Sequence, residues 1–95
     1  MCTICPSNLL IENKWVRVTW FDFELGEETG WQDHVNGYVI TAITDCYMIL
    51  ENLDRTKSIS EIKKGNAFKR EAGVSHNVLN ASEKIMTFIK IELKA

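Results

Sequence analysis

The sequence predicts an all-β fold, a small antiparallel sandwich or barrel, on three observations. Apolar residues alternate with polar ones instead of recurring at helical spacing. About eight short β-rich runs follow one another along the chain, and turn chemistry separates them. Pro6 is the single proline and there are five glycines, so no linker or low-complexity stretch interrupts the pattern.

The first long run, 14–23, holds Val16, Val18 and Trp20 on one parity and Phe21 and Phe23 on the other. That switch predicts a bulge within the strand. Further strands are expected over 38–44, 46–51, 56–62 and 76–80. The clearest is 85–93, where Ile85, Thr87, Ile89, Ile91 and Leu93 alternate with Met86, Phe88, Lys90 and Glu92. Leu25-Gly26-Glu27, Asn36-Gly37, Asn52-Leu53-Asp54, Lys64-Gly65-Asn66 and Ala72-Gly73 supply the turns. Residues 58–64 also fit about one and a half helical turns, but Ile59 and Ile62 are too few apolar anchors for a helix that short.

A length of 95 residues predicts one domain, with 1–12 as an N-terminal arm and 13–95 as the barrel. Hydrophobic residues make up 45% and charged residues 25%, which excludes disorder. Lys and Arg number 11 against 13 Asp and Glu, a net charge of −2 with both signs scattered. Nucleic-acid binding needs a basic face and is excluded on that ground. A membrane-surface helix is excluded for want of a basic amphipathic stretch, and no apolar run approaches the roughly 18 residues of a membrane span. Residues 1–10 lack a basic start and a long apolar core, so they do not read as a secretory signal. Three cysteines make no even disulfide framework, and the expected compartment is the cytosol.

The chemistry concentrates around the two histidines, His34 and His76. Gly26 precedes Gln32, His34 and Tyr38, and Gly65 precedes Glu71, Gly73, His76 and Asn80. In extended chain, positions 32, 34 and 38 share one parity, and positions 76, 78 and 80 do the same on another strand. An antiparallel barrel would bring Gln32, His34, Tyr38 and His76 around one interior point.

Those two segments, GEETGWQDHVNGY and GNAFKREAGVSHNVLN, resemble the paired motifs of the cupin superfamily, G-x5-H-x-H-x3,4-E-x6-G and G-x5-P-x-G-x2-H-x3-N. The second keeps the spacing throughout and places Glu71 where the proline falls. The first keeps Gly26 and His34 but carries Gln32 for the first histidine, Tyr38 for the glutamate and Asp45 for the last glycine. The stretches GW-x-x-H-x-x-x-YVI, REAGVSHNVLNAS and IKIELK are similar to small single-domain cupins, some of them assigned to β-alanine catabolism. The resemblance covers roughly 13–93 and implies a double-stranded β-helix, or jelly roll.

It also implies a divalent transition metal (iron, nickel, zinc or manganese) held in the barrel by Gln32, His34 and His76. Two imidazoles and an amide oxygen make a weaker site than two imidazoles and a carboxylate. A phenol with a reference pKa near 10 is a poor ligand, so Tyr38 is expected beside the metal or against the substrate. The first expected function is therefore a metal-dependent enzyme acting on a small organic acid or related metabolite. A metal-independent isomerase or lyase, with His76 and Tyr38 shuttling a proton, is the second. A non-catalytic module for a small-molecule ligand is the third.

Trp31 is a candidate pocket wall, and Arg70, on the parity of Phe68, a candidate partner for a substrate carboxylate. Cys2 and Cys5 form a C-x2-C, but only Cys46 remains as a further thiol, so a mobile thiol pair is expected there rather than zinc. Cys46, within a β-run, is expected as a buried small hydrophobe. Asn80-Ala81-Ser82 matches a glycosylation sequon, although Asn80 belongs to the second motif. Small cupins commonly pair through their sheets, and the apolar stretch 8–18 suits addition to a neighbour's sheet, so a homodimer is expected.

Overall fold

A computed structural model describes residues 4–34, 36–70 and 74–94, with the side chains at 32–34 and 74–75 outside that description. Nine strands alternate along the described chain. They are β1 (Ser7–Glu12), β2 (Val16–Phe23), β3 (Gln32–His34), β4 (Gly37–Ala42), β5 (Cys46–Asn52), β6 (Lys57–Ile62), β7 (Ala67–Arg70), β8 (Val74–Asn80) and β9 (Met86–Leu93). They form a five-stranded sheet in the order β1-β2-β9-β4-β7 and a four-stranded sheet in the order β3-β8-β5-β6, with every pair of strands antiparallel. Of the stretch 58–64 that also fits a short helix, residues 58–62 belong to strand β6 and the rest enter the turn at Gly65.

Strand β2 carries no bulge against β9. Its register runs unbroken from Val16 opposite Leu93 to Phe23 opposite Met86. The parity switch has another cause. Phe21 and Phe23 point between the sheets and are buried, while Val18 and Trp20 lie on the opposite face and are only partly covered. Both faces of this strand are apolar, so alternation alone does not tell inside from outside. The irregularity sits instead in β1, between Leu9 and Ile11.

The core lies between the sheets. Phe21, Phe23 and Phe88 form an aromatic cluster with ring centroids 5.2–6.3 Å apart, and Met86, Met48 and Cys46 pack among the fully buried side chains. Cys46 behaves as expected, buried with its thiol donating to the Thr44 carbonyl at 3.3 Å. Cys5 departs from the mobile reading. It is buried, and its backbone N–H donates to the Glu28 carbonyl at 2.8 Å. Cys2 lies outside the described residues.

The two motif glycines do conformational work. Gly26 and Gly65 sit in tight turns at φ of 75° and 86°, where a side chain is strained, and a Cβ there would meet nothing. Asn80, the last residue of the second motif, is buried and knits the base of the barrel. Its amide donates to the carbonyls of Phe23, Glu24 and Lys84, and its oxygen accepts from the Ser82 N–H and hydroxyl. A side chain so engaged is no acceptor for a glycan. No helix of the described residues is long and apolar enough to cross a membrane.

Candidate functional site

Register stacks the inward side chains of the five-stranded sheet in levels. Phe23 and Met86 make the first, and Phe21, Phe88 and Ala42 the second. Lys90, Ile40 and Phe68 make the third; Arg17, Glu92, Tyr38 and Arg70 make the fourth. The facing sheet changes in the same sense, from Met48 opposite Asn80, through Leu50 opposite Val78, to Asn52 opposite His76. The barrel is thus closed by apolar packing at one end and polar at the other. The candidate site falls at the polar end, over an apolar floor.

Tyr38 is buried on β4, directly across from Arg70 on β7. The Arg70 guanidinium lies 4.1 Å above the Phe68 ring and donates to the Lys69 carbonyl at 3.3 Å. Tyr38, Arg70 and Phe68 line one cleft between the sheets, with Lys90, Thr29 and Val78. Its cavity measures about 20 Å3, space for about one or two ordered water molecules or a group of that size. No Asp or Glu lines it among the described residues.

Arg70 also sets the electrostatics. Burial pushes the His76 imidazole below its usual pKa of 6.5, and the positive charge of Arg70 pushes it the same way. The ring is therefore neutral at physiological pH. Burial pushes the Tyr38 phenol above its ordinary 10, with Arg70 partly opposing, so Tyr38 stays a hydroxyl and a hydrogen-bond donor.

The backbone register pairs Gln32 with His76 and His34 with Val74. Positions 32, 34 and 76 therefore share the parity that their spacing predicts. The side chains of Gln32 and His34 lie outside the described residues, and with them two of the three expected metal ligands. Trp31, just ahead of β3, is 54% exposed and is not among the cleft's lining. Among the described residues no three His, Cys, Asp or Glu side chains gather as a metal would need. The described donors alone do not fit a divalent ion. They offer one imidazole, a protonated phenol in place of a carboxylate, and two nearby cations that oppose a third.

Lys90 is the residue that motif reading passed over. It is 7% exposed, with its ammonium 5.3 Å from the Phe21 ring centroid and 3.9 Å from a Glu92 carboxylate oxygen. Burial pulls its pKa below the usual 10.5, Glu92 pulls it back up and Arg17 adds to the lowering. The signal was present in the sequence: Lys90 shares parity with Met86 and Phe88, the buried side of the last strand.

The comparisons agree with this architecture. No family model matches the chain. The β-alanine degradation protein BauB of Pseudomonas aeruginosa is 37% identical over 84 residues, covering 88% of this chain and 87% of that protein. A cupin domain from Bordetella pertussis Tohama I is 34% identical and superposes with a TM-score of 0.93 over 100% of this chain and 98% of that one. An RmlC-like cupin with a double-stranded β-helix from Methanocaldococcus jannaschii shares only 16% identity, yet reaches a TM-score of 0.78 over 97% of this chain and 82% of that one. Two facing antiparallel sheets, the paired glycine-led motifs and these likenesses together make this chain a member of the cupin family.

Proposed function

We propose that this cupin takes a short-chain organic acid into the polar end of its barrel, Arg70 receiving the carboxylate and His76 and Tyr38 flanking the rest of the molecule. The observation that carries this reading is the placement of Arg70. Its charge reaches both His76 and Tyr38, and it lines a cleft to which no described acidic residue contributes. A guanidinium receives a carboxylate through two parallel hydrogen bonds. BauB is by name a β-alanine degradation protein, and β-alanine is itself a short carboxylic acid.

The chemistry at the far end has two forms. In the first, Gln32, His34 and His76 hold iron, nickel, zinc or manganese, which would supply Lewis acidity. In the second, His76 serves as the base and the Tyr38 hydroxyl donates a hydrogen bond to the oxygen that gains charge. The neutral His76 and the Arg70 charge that reaches it favour the second. A non-catalytic carrier of the same acid would use the same Arg70 contact.

Elemental analysis of tag-free protein, beside His34→Ala and His76→Ala, decides between the forms. Stoichiometric metal that disappears in both variants selects the first. A screen of short-chain acids then tests the shared element: Arg70→Met is expected to weaken binding or turnover at least tenfold. Wild-type affinity in Arg70→Met would overturn the reading.

The same proposal includes a homodimer in the cytosol. On the outer face of the five-stranded sheet, Ile11, Val18, Ile91 and Val39 lie side by side across four strands, with Trp20 and Ile89 in the next row. A second copy laid on this aliphatic face would add the core that a chain of this size lacks. Sedimentation at micromolar concentration is expected to give a dimer for wild type and a monomer for Val18→Glu/Ile91→Lys. A monomeric wild type would remove this part.

A further inference from the structure

We infer that Lys90 and Arg70 together form a two-cation clamp for a single carboxylate group, Lys90 taking it from the floor of the cleft and Arg70 from its rim. The inference rests on the organic-acid reading and extends it to the orientation of the ligand. Strand β4 lies between β9, which carries Lys90, and β7, which carries Arg70. Lys90 stands opposite Ile40, and Arg70 opposite Tyr38, one level nearer the polar end. The two cations therefore flank β4 diagonally, and both line the same cleft.

Each is steadied by an aromatic ring, Lys90 by Phe21 at 5.3 Å and Arg70 by Phe68 at 4.1 Å. Holding long cationic side chains this way lowers the entropy lost when they grip a ligand. Placing an ammonium over the floor of an aliphatic and aromatic cleft costs solvation, and an anion seated beside it recovers much of that cost. Glu92 pairs with Lys90 at 3.9 Å and with Arg17 at 3.9 Å, and it is not among the described residues that line the cleft.

The cavity volume of about 20 Å3 sets the ligand's size. It accepts a carboxylate-sized group at the floor, while the rest of the molecule extends toward His76 on the facing sheet. The class of ligand is a short aliphatic monocarboxylic acid. Its carboxylate points to the five-stranded sheet and its reacting carbon to the four-stranded one.

The test compares propionate with its neutral isostere propionamide. Binding to the full chain is read by ligand-observed NMR and calorimetry, at one ionic strength set with chloride. Wild type is expected to bind propionate at least tenfold more tightly than the amide. Lys90→Met is expected to lose at least tenfold for propionate and nothing for propionamide, and Lys90→Arg, which keeps the charge, to stay within threefold of wild type. Arg70→Met is expected to lose at least tenfold for propionate. If Lys90→Met binds propionate as wild type does while Arg70→Met fails, the clamp is overturned and the organic-acid reading stands. Equal losses for acid and amide in Lys90→Met would make Lys90 a packing residue and overturn the clamp as well. A wild type that does not prefer the acid overturns both.

Discussion

Arg70 carries three influences at once, since it faces Tyr38, lowers the His76 pKa and lines the cleft. Removing its charge relieves one of the two causes of the His76 shift. Arg70→Met is therefore expected to raise the His76 pKa toward 6.5, observable as a displaced imidazole titration by NMR. An unchanged titration would leave burial as its cause. The sign for stability follows. The folded His76 pKa lies below 6.5, so the unfolded chain binds more protons below that pH, and this contribution is lost as pH falls from 6.5 through the folded value. Asn80 is the structural counterpart at the same scale. Its amide and oxygen satisfy three carbonyls and the Ser82 N–H and hydroxyl. Asn80→Ala strands several of these, and a loss of about 1–3 kcal/mol is expected in urea unfolding.

Strand β9 joins the two ends of the molecule. It pairs with β2 on one side and β4 on the other, and its inward side chains run Met86, Phe88, Lys90, Glu92 from apolar core to polar site. The Phe88 ring lies tilted against both Phe21 and Phe23, with centroids within 5.4 Å, at the level beneath Lys90. Phe88→Ala is expected to cost about 3–5 kcal/mol, the range for a buried aromatic, and to soften the floor of the cleft. Its denaturation midpoint should therefore fall, and, on the proposed function, acid binding should weaken with it. Strand β3, by contrast, is three residues long and, among the described residues, pairs with β8 at the edge of the four-stranded sheet.

At the scale of the whole molecule, alkaline pH tests how well the interior is closed. Burial pushes the Cys5 thiol from 9.0 up to about 11, and the Tyr38 hydroxyl and Cys46 thiol shift upward as well. Each folded pKa exceeds the unfolded one, so the folded chain binds more protons above pH 9 and stability falls between about pH 9 and 11. Lys90 works in the opposite sense. Its lowered pKa makes the unfolded chain the better proton binder just below 10.5, so its contribution rises with pH there. Melting temperatures from pH 8 to 11 should decline, less steeply in Cys5→Ala and more steeply in Lys90→Met.

The strands were legible because alternation and turn chemistry are local, and they survived into β4, β5, β6, β8 and β9 with shifts of at most two residues at their ends. The glycine-led spacing gathered Gln32, His34, Tyr38 and His76 around one point, and the parity of Phe68 singled out Arg70; of these, the structure describes the side chains of Tyr38, Arg70 and His76. What local pattern did not decide was which face of β2 turns inward, because both faces are apolar. It did not show the edge strand Ser7–Glu12 paired within the same chain, nor Cys5 buried beside Glu28. Nor did it single out Lys90, whose meaning depends on neighbours far apart in sequence. The sequence by itself determined the all-β class and the spacing of the motif residues, since each follows from the two-residue repeat of extended chain. Only the tertiary structure decided that Lys90, Tyr38 and Arg70 share one cleft, because it takes three strands from separate parts of the chain, β9, β4 and β7, to bring those side chains over one apolar floor.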